Sequence, residues 1–393
     1  MAKRRDVAIV GVYATKQERF SQRSALSLTM EAIHGALDDA GLTMKDVDGY
    51  LGFTFPAGSG MGVTDGNVAY QLNNSFGLVD RYSGAMALLQ AAAAIREGLV
   101  ETVIIAAAGS RATADGRTVA WTRPEYEFTE WTGSMTPAQF ALQMRRHMHE
   151  HGTTVEQMAY GCATVRNNGH KNPDAIMFQR GPYTVEDVLS ARMVADPLTL
   201  LMCSIVNDGG NCMVVTSGER ARACKRPPVW VLSGAMESRY TAYFEAPSLE
   251  MLKGREKMMK AFGRAGVRHE DVDIVMIYDH FASGLIMSFE GLGFCEIGEG
   301  GPYIVENIGL DDKHPVCPDG GNLSFSHPGN PYNFKAIEIV RQFRGDVNDL
   351  CPQSAEGVHT YDRSICRKVR DPKLAACCGP MTGRHSFAIL AKD

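Results

Sequence analysis

Short apolar runs of strand length alternate along this chain with longer segments whose apolar residues recur at helical spacing. Val7 to Val12 is the first run, interrupted only by Gly11. Leu26, Met30, Ile33, Leu37 and Ala40 then recur in steps of three and four, which predicts a helix from Ser24, a natural N-cap, to Gly41, a natural stop. Residues 47–55 read as a second strand and 57–66 as a glycine-rich loop. Residues 83–98 read as an alanine-rich helix, and 101–109 as a strand apolar nearly throughout, as inside a parallel sheet. A polar and aromatic excursion fills 110–136. Helices over 137–151 and 154–168 and a strand over 211–217 follow. The charged, proline-bearing stretch 221–228 marks a boundary. Beyond it lie a strand at 228–234, a helix at 248–266, a strand at 273–279, helices at 282–293 and 335–345, and a last strand at 385–392. The same β-α-β-α-β order thus occurs twice, which predicts an α/β fold of two similar halves. They divide as 1–225, with a loop excursion at about 110–210, and 226–393.

Composition narrows the function. Hydrophobic residues are 45% of the 393 positions and charged residues 22%, enough to bury a large core and too apolar for a disordered chain. Lys and Arg number 40 against 45 Asp and Glu, so the basic excess of a nucleic-acid binder is missing. No apolar run has the roughly 18 residues of a membrane span. The start, MAKRRDVAIVGV, has an apolar run too soon broken for a secretory signal, so a cytoplasmic protein is expected. The ten cysteines follow no framework and form no CxxC pair, which points to reduced thiols and no zinc ribbon in this chain.

Four segments carry candidate chemistry. Arg81-Tyr82-Ser83-Gly84 opens the alanine-rich helix, where free backbone N–H groups favour an anion; the plainer reading is that Ser83 only caps the helix. Tyr278-Asp279-His280-Phe281 lies at a strand end, where α/β proteins bind ligands; the plainer reading is a satisfied polar cluster. In GGNLSFSHPGNPYNF (320–334), Pro328 and the glycines restrain His327, and a held imidazole can donate to a developing oxyanion. In Cys377-Cys378-Gly379-Pro380-Met381, a thiol before a glycine turn would serve as base or nucleophile if its pKa were lowered, although inert buried cysteines are commoner. His147 and His151 stand four residues apart, a metal-ligand spacing, but without HExxH a basic helix end facing solvent is the expectation. The 57–66 stretch matches no phosphate or dinucleotide motif.

In their order these segments resemble the thiolase superfamily. RYSGAMALLQAAAAIREG (81–98) is similar to the nucleophile helix, which begins Cys-x-Ser-Gly in that family. YDHFA (278–282) is similar to the Asn-Glu-Ala-Phe-Ala segment, GGNLSFSHPG (320–329) to the Gly-Gly…Gly-His-Pro loop, and CCGPMTG (377–383) to the last Cys-x-Gly loop. Residues 137–216 look like the branch around sterol carrier protein x. The resemblance implies a thiolase fold, two βαβαβ halves packed as five layers α-β-α-β-α. It also implies coenzyme A as substrate, with no covalently bound cofactor and no metal. The departures are specific. The nucleophilic Cys falls at Arg81, the water-orienting Asn at Tyr278, and the acid/base Cys at Cys377, or at Cys378 with a one-residue slip; His327 is retained.

A subgroup sharing Tyr-Asp-His-Phe and lacking the nucleophile contains steroid side-chain retro-aldolases and the thiolase-like subunit of benzoylsuccinyl-CoA thiolase from toluene degradation. The resemblance implies a homodimeric core, joined by a small zinc-ribbon and OB-fold subunit in an α2β2 heterotetramer. His327 and the cysteine pair favour an acyltransferase, cleaving a β-keto acyl-CoA such as 2-benzoylsuccinyl-CoA by CoA-dependent thiolysis. The alternatives are retro-aldol cleavage of a β-hydroxy acyl-CoA and a non-catalytic scaffold. On this reading His327, Tyr278, Cys377 and Cys378 are catalytic, and Arg81, Ser83, Gly84, Asp279, His280 and Gly379 bind substrate. Arg111, Arg117 and Arg123 are further carboxylate partners, and Trp121, Tyr126, Phe128 and Trp131 an aromatic lining or a subunit contact.

Overall fold

A computed structural model describes residues 5–55, 65–114, 136–238, 254–328, 330–347, 351, 360–379 and 384–393. The first half contributes strands β1 (Val7–Ala14), β2 (Gly49–Phe55), β3 (Leu78–Asp80) and β4 (Thr102–Gly109). A small hairpin of β5 (Met193–Ala195) and β6 (Leu198–Thr199) precedes β7 (Gly209–Ser217). The second half contributes β8 (Val229–Ser238), β9 (Ile274–Met276), β10 (Leu374–Cys378) and β11 (Arg384–Ala391). Among the described residues the nine longer-range strands run in the order β3-β2-β4-β7-β1-β8-β11-β10-β9.

The two halves repeat in their pairing. In the first, β2 is parallel to β3 and β4, and β7 is antiparallel to β4 and β1. In the second, β9 is parallel to β10, and β11 is antiparallel to β10 and β8. The halves join at a narrow seam between β1 and β8, through Ala8–Trp230 and Ile9–Val229.

Helices arrange these strands in five layers. Ala25–Ala40 covers β1, β7 and β4 on one outer side, and Arg255–Ala265 covers β8 and β11 on the other. Gly84–Arg96 and Tyr332–Arg344 pack on each other and against strands of both halves, forming the central layer. Gly84–Arg96 packs against strands of both halves, so Ala85, Ala87, Leu88, Ala91, Ala92 and Ile95 are buried along it, while Ala93 is left exposed. Every residue of β4 is buried, as its unbroken apolar run predicts. Outside the layers, helices Thr136–His151 and Val155–His170 occupy the connection from β4 to β7.

Several expectations change. Cys377 and Cys378, likened to the start of a loop over 377–383, instead end a buried strand, Leu374–Cys378, and the strand expected over 273–279 is limited to Ile274–Met276. Cys351 and Cys366 are joined in a disulfide rather than reduced, and the other eight cysteines are free. His147 does not face solvent. It is fully buried, with Nε2 2.9 Å from Glu290 Oε1 and Nδ1 3.0 Å from Thr153 Oγ1. Among the described residues no helix is long and apolar enough to cross a membrane, and no group of three His, Cys, Asp or Glu could hold a metal ion.

Candidate active site

Tyr278 follows β9 by two residues, and His327 lies in the loop that precedes the central helix Tyr332–Arg344. The fold brings these sequence-distant groups together: Tyr278 Oη and His327 Nε2 are 3.1 Å apart, and both side chains are half-buried. A phenol and an imidazole in that contact can pass a proton to each other and to a bound ligand. The His327 backbone is held as well as its ring. Its N–H donates to Asn207 Oδ1 (2.6 Å), Asn207 Nδ2 donates to Ser326 Oγ (2.9 Å), and Ser326 Oγ donates to Gln17 Oε1 (2.7 Å).

His280 is buried and stacked on Tyr278, ring centroids 4.2 Å apart, with the edge contact of Phe140 beside it at 4.1 Å. Its Nδ1 lies 3.3 Å from the Tyr278 carbonyl, which can only accept, so Nδ1 carries the proton. Burial, and then the nearby His327, push its pKa down to about 3. The ring is therefore neutral, and its Nε2 is an acceptor with no hydrogen-bond partner among the described residues.

Asp279 points into the interior rather than to an open surface. It is fully buried, and its carboxylate accepts from the Asn322 and Leu323 N–H groups (2.8 and 3.2 Å) and from Lys335 Nζ (3.0 Å). Those two N–H groups belong to a π-helical turn, Gly321–Phe325, a rare geometry that often marks functional sites.

The helix start expected to hold an anion is already occupied. Ser83 takes the N-cap position with no side-chain capping bond; its hydroxyl donates to Asn330 Oδ1 (2.9 Å). The Gly84 N–H donates to Asn333 Oδ1 (2.6 Å). Gly84 has φ +61°, and an added Cβ would lie 2.6 Å from the Tyr332 Cβ, so glycine is required by conformation and by space. Tyr332 in turn packs on Tyr278, centroids 4.8 Å apart, which links the helix start to the Tyr278–His327 pair. Arg81 is exposed at the rim, its guanidinium 4.4 Å from the Phe53 ring centroid.

The cysteine pair sits inside β10, and successive strand residues face opposite ways. Cys378 meets the Tyr278 backbone and Ser288 and feels Lys335 and Asp279; burial still pushes its thiol up to about 11. Cys377 meets the Ala388 backbone instead and is pushed up to about 12 by burial and then by Cys378. Neither is an activated thiol, and burial raises every other free cysteine as well. Gly379 is buried, its N–H donating to the Ser386 carbonyl at 2.8 Å. The excursion residues Arg117, Arg123, Trp121, Tyr126, Phe128 and Trp131, and the Arg111 side chain, lie outside the described residues, as does most of the 57–66 loop.

Lys335, Asn207, Asn330 and Asn333 escape sequence reasoning. The amides share the 320–334 loop or lie far away in sequence, and only the polar run Asn330-Pro331-Tyr332-Asn333 beside His327 signals them.

Residues 235–359 match the family model described as thiolase C-terminal domain-like. A steroid side-chain-cleaving aldolase from Thermomonospora curvata is 32% identical over 384 residues, covering 90% of this chain and 96% of the relative. The chain belongs to the thiolase superfamily. A benzoylsuccinyl-CoA thiolase subunit, BbsB, from Thauera aromatica is 31% identical over 202 residues, half of each chain. Among solved structures, an Ltp2-ChsH2(DUF35) aldolase superposes with a TM-score of 0.83 at 27% identity, over 100% of this chain and 99% of that one. The architecture is thus the thiolase fold, in the branch around sterol carrier protein. Burial holds every free thiol of this chain above its ordinary pKa.

Proposed function

We propose that this chain is the catalytic subunit of an enzyme that cleaves a β-hydroxy acyl-CoA by a retro-aldol step, with Tyr278 and His327 handling the proton. The carbon–carbon bond breaks, the hydroxyl carbon becomes a carbonyl, and the electron pair moves onto the α carbon as a thioester enolate. The hydroxyl proton passes to Tyr278 Oη while the phenol proton passes to His327 Nε2. The return of that proton to the α carbon completes the reaction, and no acceptor is consumed. The observation that carries this reading is the half-exposed Tyr278–His327 hydrogen bond in a chain whose free thiols are all raised by burial. Likeness to the Thermomonospora curvata aldolase over most of both chains supports it.

The second reading is CoA-dependent thiolysis, best matched to 2-benzoylsuccinyl-CoA giving benzoyl-CoA and succinyl-CoA. It is favoured by the retained His327-Pro328 motif and by the likeness to BbsB. With no activated cysteine, the CoA sulfur would attack the keto carbon directly, and Arg81 would pair with the succinyl carboxylate. In either case a homodimeric core with a small zinc-ribbon and OB-fold subunit, α2β2 and cytoplasmic, is the assembly we propose. Its support is the two-component character of the Ltp2-ChsH2(DUF35) aldolase and the subunit status of BbsB.

The test is co-expression with a candidate partner and assay of both substrate classes, with and without free CoA. Cleavage of the β-hydroxy acyl-CoA without added CoA supports the retro-aldolase. Release of benzoyl-CoA and succinyl-CoA only when CoA is supplied replaces it with thiolysis.

A further inference from the structure

We propose that Lys335 and Asp279 are positioning residues, a buried ion pair that sets the Tyr278–His327 hydrogen bond by tying the chain carrying the phenol to the turn carrying the imidazole. The inference rests on the reading of Tyr278 and His327 as the proton-handling pair. Asp279 directly follows Tyr278, so fixing its carboxylate fixes the backbone from which the phenol projects. The same carboxylate receives the Asn322 and Leu323 N–H groups at the head of the π-helical turn. The tail of that turn is held by Asn322 Nδ2, which donates to the Ser326 carbonyl (3.1 Å), and His327 comes next. One anion therefore links both members of the pair.

The turn is shaped for this contact. Gly321 has φ +57°, and a Cβ there would fall on the Asp279 carboxylate. Lys335 supplies the compensating charge from the central helix, its Nζ 3.0 Å from Asp279 Oδ1, with the side chains 3% and 0% exposed. An ion pair so deeply buried is weak support for stability, because desolvation offsets much of the attraction, which leaves geometry as the role that explains it. The groups facing Lys335 are Asp279, Asp319 and Cys317. The Cys378 thiol also feels its charge, while Glu338, one turn along the same helix, is paired with Arg367.

The experiment compares Lys335→Met with the double variant Asp279→Asn/Lys335→Met, each as the full chain with its partner, using Tyr278→Phe as reference. The double variant removes both charges of the Lys335–Asp279 pair, so it spares the fold the lone Asp279 carboxylate that the single variant leaves buried. The readout independent of turnover is the imidazole nitrogen resonance of His327. It is expected to move toward its position in Tyr278→Phe, because Asn offers one oxygen where two N–H groups must be held. In the same variants kcat is expected to fall about 10²-fold while KM stays within about threefold, the pattern of misplaced groups rather than lost binding. An unmoved His327 resonance, or a kcat within about threefold of the parent, in either folded variant overturns the proposal. If the parent turns over neither substrate class, the reaction reading falls, and the resonance still decides the positioning role.

Discussion

The two halves of the fold present opposite faces to the site. In the first half the helix start is engaged from within the protein: Ser83 Oγ donates to Asn330 Oδ1 and the Gly84 N–H to Asn333 Oδ1, with Arg81 exposed at the rim. In the second half the chain end after β9 is open, and Tyr278 and His327 are half-exposed and bonded to each other. Two asparagine side chains thus take up the first hydroxyl and the first backbone N–H of that helix. On the proposed reading, the chemistry lies in the half whose Tyr278 and His327 are half-exposed.

The contrast breaks most completely at the open end. His327→Ala is expected to lower kcat about 10³-fold, and Tyr278→Phe about 10²-fold, in steady-state assays with acyl-CoA binding checked by calorimetry. Loss of binding instead of kcat would make the pair a docking feature. Next is the turn that delivers His327. Gly321→Ala is expected to destabilise the fold by about 2 kcal/mol in denaturant titrations, since it combines a positive φ with a carboxylate in the way of the new methyl.

A smaller effect sharpens the comparison through pH. His280 is neutral in the fold, with its pKa lowered from 6.5 to about 3, while the unfolded chain protonates it at its ordinary value. The unfolded state thus binds more protons in that window, and stability is lost as pH falls from about 6.5 toward 3. His280→Phe is expected to flatten that part of the stability profile, measured by thermal melting across the range; an unchanged slope would remove His280 as its source. The smallest effects belong to the engaged helix start and the cysteines. Arg81→Cys is expected to give no covalent acyl adduct by intact-mass analysis after incubation with an acyl-CoA. Cys378→Ala is expected to keep kcat within about twofold. An adduct on the new cysteine would show that the asparagines do not close the helix start.

The layers were legible because their residues repeat at the right periods: the apolar runs of β1, β4 and β7, and the Ser24-to-Gly41 helix with both ends marked. The motif pattern pointed to Tyr278 and His327 as well, though nothing local announced that they touch. Other features had no local signal. Lys335, Glu338 and Gln342 recur at the spacing of a solvated helix face, but their helix lies between two sheets, so all three are buried. Leu374–Cys378 is too short and too close to Gly379 to announce a strand. His147 looks like part of a basic helix end, and its partner Glu290 is 143 residues away. Asn207, which holds the His327 backbone, is 120 residues from it.

The central helix Gly84–Arg96 has a consequence for how this chain can change over time. Its inward positions Ala85, Ala87, Ala91 and Ala92 are nearly inaccessible, and each methyl helps set how closely the two sheets approach. A larger side chain at any of them would wedge the halves apart and carry the ends of β4 and β9 with them. A larger side chain at any of these positions is expected to lower stability, whereas changes in the exposed loops leave that spacing untouched. The helix is an evolutionary ratchet: it holds the spacing constant while the loops at its end exchange one chemistry for another.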